Sequence, residues 1–320
     1  MTTALPWAEG GAQRAFFEDA ELHSIFSRSS SYLRAGVAVQ FKGPSGMGKT
    51  AMALRVAHGL GRTVSFLTGH SRMTPEDLIG RQSGQHSTRL DDKYIASVRR
   101  TETRVRPDWQ EGALYTAMTQ GHTLVYDEFT RAPPEANVPL LSVLEEGVLA
   151  ISHPAEGWQM VRAHPDFSVI LTSNPADYQG TNEAPDALID RVVTFEFSTL
   201  SEATEARIVD TATGLSWQDA QVIVALSRAL KDHGDDRACG SIRTSLLIAR
   251  LLDAEGIRAT PSDPRFVQVC ADVLRGRVKR KDTEALVRDF CADLADRPPH
   301  PLDATADQAQ AEATRESQTP

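Results

Sequence analysis

The chain has 320 residues, room for about two domains of ordinary size, which excludes miniature folds stapled by disulfides or metals. Its 34 Lys and Arg stand against 43 Asp and Glu, and the net charge of −9 argues against a protein that lives on duplex nucleic acid. Apolar residues at 41% and charged ones at 24% are ordinary for a soluble globular chain, and no apolar run approaches the ~18 residues of a membrane span. The first ten residues lack a basic stretch followed by an apolar one, and the three cysteines form no Cys-x-x-Cys pair, so the expected setting is a reducing cytoplasm.

In chain order, the sequence predicts a short helix near Phe16 and Phe17, then a helix over Ser24–Ala35 that ends at Gly36. Short β-branched or apolar runs follow, predicting strands at Val37–Lys42, Thr63–Thr68, Thr123–Tyr126, Ser168–Thr172 and Val192–Phe197. Helices are expected between them at Thr50–Gly59, Gln110–Gln120 and Glu135–Glu146. Strands alternating with helices imply crossovers and a parallel sheet, an α/β fold. Val148–Ile151 and Trp158–Arg162, parted by Pro154 and Gly157, read as a hairpin inserted before the fourth strand. After Leu200 the strands stop, and amphipathic helices are predicted at Trp217–Lys231, Ser241–Ala254, Pro264–Leu274 and Thr283–Leu294. The expected organisation is an α/β domain over 1–199, a helical domain over 200–296 and a disordered polar tail over 297–320. That tail has too few apolar residues to offset its ordering entropy.

The chemistry concentrates in the first part. Gly43-Pro44-Ser45-Gly46-Met47-Gly48-Lys49-Thr50 matches the phosphate-binding loop at every fixed position, with a predicted strand before it and a helix after it. Its glycines let successive backbone N–H groups converge on phosphate oxygens, and the helix start adds its positive dipole end. Lys49 is the candidate cation for the outer phosphates and Thr50 the hydroxyl for Mg²⁺. Leu124-Val125-Tyr126-Asp127-Glu128 is a buried strand that delivers an acidic pair to the sheet edge where ligands of open α/β folds sit. Asp127 is expected to hold Mg²⁺ and Glu128 to polarise the attacking water, so that ATP is the substrate. Capping of the next helix is the plainer role for such a pair. Asn174, at the end of the strand through Thr172, is expected to orient the same water, although an Asn at a strand end also forms turns readily. Asp186–Arg191 reads as a short helix ending in an exposed arginine, either a cation complementing the helix dipole or a finger for a neighbouring subunit.

Together these motifs resemble the MoxR class of AAA+ ATPases. Gly121–Arg131, Pro134–Asn137, Leu140–Glu146, Thr172–Pro175 with Tyr178, Asp186–Leu188 and Asp190-Arg191 resemble the gas vesicle protein N family within it. The likeness runs from about Leu33 to Phe197 and is loose beyond. It implies a parallel 5-1-4-3-2 sheet sandwiched by helices, a helical lid, and a homo-oligomeric, hexameric ring with the site at the subunit boundary. It also implies ATPase roles for Lys49, Thr50, Asp127, Glu128, Asn174 and Arg191, and gas vesicle structural or accessory proteins as partners. Arg243, in Ser241-Ile242-Arg243-Thr244, resembles the second sensor of the class. The loop Gln179–Pro185 departs from the family pattern. Alternatives to a gas vesicle assembly chaperone are another MoxR-class chaperone, such as a Rubisco-activating or cofactor-inserting motor, a DNA motor, or a nucleotide-gated scaffold. Two basic clusters, Arg99, Arg100, Arg104 and Arg106, and Arg275, Arg277, Lys279, Arg280 and Lys281, read as solvated surface or as a partner-binding patch. Cys270 and Cys291 fall on apolar helix faces as core residues, and the histidines show no metal-binding spacing.

Overall fold

In the computed structural model, residues 20–92, 100–153, 157–174, 180, 182, 185–197, 200–231, 241–275 and 282–295 are described. The short helix expected near Phe16 and Phe17, the tail, most of the loop 179–185 and residues 276–281 of the second basic cluster lie outside them. The described residues fall into two compact units, one within 20–197 and one within 200–295, each with its own apolar core.

In the first unit, α1 (Ala20–Arg34) turns Leu22, Ile25 and Leu33 inward, and Gly36 at φ 81 ends it and leads into β1 (Ala38–Lys42). Then follow α2 (Lys49–Gly59), β2 (Val64–Thr68), α3 (Pro75–Ile79), β3 (Gly80–Asp92), β4 (Arg100–Glu111), α4 (Ala113–Gln120) and β5 (Thr123–Asp127). Two short 3-10 turns, Phe129–Arg131 and Pro134–Asn137, lead into α5 (Val138–Glu146). The hairpin β6 (Val148–His153) and β7 (Gly157–Arg162), then β8 (Ser168–Ser173), α6 (Asp186–Ile189) and β9 (Val192–Glu196) complete the unit. Five strands make one sheet in the order β2-β5-β8-β1-β9, every pair parallel. Counting only these five, this is the expected 5-1-4-3-2 arrangement. The apolar runs sort by position: β8 is buried along its whole length and β1 and β5 along their first four residues. The edge strands β2 and β9 are only partly covered, as strands with one open side must be.

Two local expectations are corrected. Gln110 and Glu111 do not begin a helix; they pair with Arg81 and Gly80 and end β4 of a long antiparallel hairpin that carries Arg100, Arg104 and Arg106. Gly112 makes the corner, its N–H on Ile79 O at 3.1 Å, and a Cβ there would stand 2.3 Å from Leu78 O. The helix expected from Glu135 starts as a 3-10 turn, and its α part begins at Val138, because Pro139 has no N–H to donate from a helix interior. The inner face of the β6–β7 hairpin, Leu149 and Ile151, joins the core, whereas Trp158 and Met160 stand out in solvent.

The second unit holds α7 (Glu202–Ala212), α8 (Trp217–Lys231), α9 (Ile242–Glu255), α10 (Pro264–Leu274) and α11 (Thr283–Ala295). The unexpected α7 has an apolar stripe of little more than Ala206 and Val209. It is started by Ser201, whose Oγ accepts the Thr204 N–H at 3.0 Å, with Glu202 and Glu205 in the first turn. Cys270 and Cys291 are buried in this core, as expected; burial pushes both thiols up, Cys291 to about 11. Asp219 is also buried and accepts from Ser216 Oγ at 2.7 Å, Ala259 N at 2.8 Å and Arg258 Nε at 2.9 Å. Burial alone would raise its pKa, but the hydrogen bonds from Ser216, Ala259 and Arg258 outweigh it and hold the carboxyl below the usual range.

Candidate active site

β1, β5 and β8 are neighbours, so their carboxyl ends bring Gly43–Gly48, Asp127 and Asn174 to one edge of the sheet. Glycine is required in the loop for two different reasons. At Gly43 a Cβ would meet Phe197 O at 2.4 Å, while Gly46 and Gly48 hold φ of 85° and 81°. Gly48 caps α2, and Lys49, the first residue of that helix, is folded back under the loop and buried. Its Nζ donates to Pro44 O at 2.7 Å and to Asn174 Oδ1 at 2.9 Å. A buried ammonium needs such partners, and both are neutral oxygens that phosphate oxygens can replace. Asn174, expected only beside the attacking water, is thus in direct contact with the loop lysine.

The acidic pair is built as carefully. Asp127 Oδ1 accepts two short hydrogen bonds, from Thr50 Oγ1 at 2.6 Å and from Thr172 Oγ1 at 2.6 Å. Thr172, buried on β8, also accepts the Glu128 N–H at 2.9 Å, so one hydroxyl positions both members of the pair. Glu128 has φ 52°, the left-handed region, and is the non-glycine residue found there among the described residues. Such a conformation costs about 1–3 kcal/mol and concentrates at functional positions. Its carboxylate meets Arg131 Nε at 2.7 Å. Behind it, Tyr126 is buried with its hydroxyl on Asn137 Oδ1 at 3.0 Å, and Asn137 Nδ2 reaches Phe129 O at 3.4 Å. Burial, with the nearby charge of Asp77, pushes the Tyr126 phenol well above its usual range, so it is a neutral brace.

The donor set suits a nucleotide with Mg²⁺. Thr50 and Asp127 offer hard oxygens, already paired with each other, and the loop offers N–H groups and an ammonium. Among the described residues no helix is long and apolar enough to cross a membrane.

Arg191 follows α6, as expected, but it is not freely exposed. It is 26% accessible, pairs with Glu145 at 2.5 Å and donates to Ala187 O of its own helix. The last contact is the dipole-complementing role that a helix-ending cation offers. Arg243 is exposed in the first turn of α9, in the other unit, behind the N-cap Ser241. Thr172 and Arg131 were not singled out from sequence. For Thr172 the available signal was a β-branched hydroxyl at the end of an apolar strand, two residues before Asn174. Arg131 offered only an i, i+3 spacing from Glu128.

A P-loop after β1, an acidic pair at the end of β5 and a polar residue at the end of β8, the strand between those two, define an AAA-type ATPase. The AAA domain family (dynein-related subfamily) matches residues 38–192. The gas vesicle ATPase GvpN of Ancylobacter aquaticus is 36% identical over 88% of this chain and 82% of its own length. The gas vesicle ATPase GvpN of Haloferax mediterranei is 34% identical over 87% of this chain and 79% of its own. Protein CbbQ of Hydrogenophilus thermoluteolus is more distant, 28% identical over 66% of this chain and 72% of its own. The chain belongs to the gas vesicle ATPase GvpN family.

Proposed function

We propose that this ATPase uses Mg²⁺-dependent ATP hydrolysis to remodel or chaperone proteins during gas vesicle assembly, working as a homo-oligomeric ring in the cytoplasm. The observation that carries the chemical part is the set of three contacts at the strand ends, Lys49 to Asn174, Thr50 to Asp127 and Thr172 to Asp127. In this reading the loop N–H groups and Lys49 hold the phosphates, and Thr50 and Asp127 hold Mg²⁺, which when bound neutralises charge on the phosphate oxygens. Glu128, its backbone fixed by Thr172, takes the proton of the attacking water, and Asn174 orients that water. Arg191 completes the site of a neighbouring subunit, and Arg243 acts as the second sensor of the nucleotide. The fixed charge and flat fork of arginine suit phosphate oxygens. The biological part is supported by kinship with gas vesicle ATPases at more than a third identity.

The test is deletion of the gene in its host, scored for gas vesicle number and shape, with complementation by the wild-type chain or by Glu128→Gln. Wild type restores normal vesicles and the variant does not. Normal vesicles in the deletion strain would reject the assembly role, and full rescue by the variant would reject the need for hydrolysis.

A further inference from the structure

Glu128 leaves β5 in the left-handed conformation, and the chain then turns at once into the 3-10 segment Phe129–Arg131. The Arg131 N–H closes that turn on Glu128 O at 2.9 Å. The i, i+3 geometry that results lays the guanidinium on the carboxylate, Nε to Oε2 at 2.7 Å, with Arg131 48% and Glu128 22% exposed. The turn is held from outside as well. Asn182 donates its N–H to Thr130 O at 2.7 Å and its Nδ2 to Ala132 O at 2.9 Å, gripping the carbonyls on either side of Arg131.

We propose that Arg131 is a positioning residue that restrains the base, and that turnover requires the Glu128–Arg131 pair to open. This rests on the reading of Glu128 as the group that takes a proton from water. A carboxylate oxygen that accepts from a guanidinium is turned toward that cation and its charge is partly neutralised, so it is a poorer acceptor for a water proton. The pair is partly exposed and therefore weak, which makes it a restraint that opens readily rather than a permanent block.

The test is steady-state phosphate release by the full chain over a range of ATP concentrations, for wild type, Arg131→Ala, Arg131→Lys, Glu128→Gln and the double variant Glu128→Gln/Arg131→Ala. Loss of the restraint should raise kcat about two- to fivefold, equivalent to about 0.4–1 kcal/mol, the range measured for exposed pairs. KM should not change. Arg131→Lys, which keeps a cation within reach, should run at the wild-type rate, and the double variant should be as inactive as Glu128→Gln. A faster enzyme is not what simple structural damage produces. A kcat for Arg131→Ala that is unchanged or lower, with Glu128→Gln inactive, overturns the restraint and leaves the base assignment standing. Substantial turnover by Glu128→Gln overturns both.

Discussion

Asp219 in the helical unit and Asp127 in the sheet unit are both carboxylates held by several hydrogen bonds, but their partners differ in kind. Asp219 is closed in by a backbone N–H, a helix-start serine and an arginine that join the start of α8 to the segment after α9. Asp127 is held by two threonine hydroxyls, one from the phosphate loop's helix and one from the next strand. Hydroxyls can rotate and change partner, whereas the Ala259 amide cannot. The same division separates Glu205, buried against Arg228, from Lys49, buried against Pro44 O and Asn174. In the helical unit buried charge joins helices. In the sheet unit the buried Lys49 and the half-buried Asp127 lie where three strands end, and the partners of Lys49 include neutral oxygens that a nucleotide can displace.

The contrast can be broken at four places. The largest effect is expected at Arg191: if it stabilises transition-state charge, Arg191→Ala lowers kcat by about 10³–10⁵-fold while ATP affinity changes far less. Mixing Arg191→Ala with Glu128→Gln subunits should then restore partial activity, and none despite proven mixed assembly would leave Arg191 as the partner of Glu145 and Ala187 only. Asp219→Ala should cost about 2–3 kcal/mol of stability in a denaturant melt, since the buried Ala259 N–H loses its acceptor, and leave ATP affinity within twofold. Because the Asp219 pKa is lowered in the folded chain, its contribution is fully present above the ordinary carboxylate value of about 3.9 and is lost as pH falls through the lower folded value. The stability gap between wild type and Asp219→Asn should accordingly be flat above about pH 5 and shrink on acidification.

Lys49→Ala should do the reverse of Asp219→Ala, lowering ATP affinity about ten- to hundredfold by titration with a fluorescent analogue, through loss of a charge-assisted contact of about 1.5–3 kcal/mol. The smallest effect is expected at Thr172, where Thr172→Val keeps the shape and removes the hydroxyl shared by Asp127 and Glu128. Of its two hydrogen bonds, the one from the Glu128 N–H places the base, and its loss, about 1–1.5 kcal/mol, corresponds to roughly a tenfold fall in kcat, with ATP affinity nearly unchanged.

The phosphate loop and acidic pair were legible because the chemistry fixes residue type and spacing there, and the five strands because burial on both faces leaves plain apolar runs. The β3–β4 hairpin was not, since Gly80–Asp92 reads GRQSGQHSTRLDD and lacks the apolar alternation by which a strand is recognised. α7 was missed because alanine and a single valine make its buried stripe. The ties of Thr172 to Asp127, Arg131 to Glu128 and Glu145 to Arg191 depend on rotamers and on strand neighbours 45 residues apart in the first case and side chains 46 apart in the last. Sequence spacing alone does not report such contacts.

The central claim is that the charges at the strand ends form a site for cleaving ATP, with Glu128 as the base. Its most direct measurement compares ATP affinity and phosphate release of Glu128→Gln with wild type under the same conditions. Affinity within about threefold of wild type, together with a turnover lower by about 10²–10⁴-fold, is the predicted result. Turnover within twofold of wild type would contradict it and move the base to another residue.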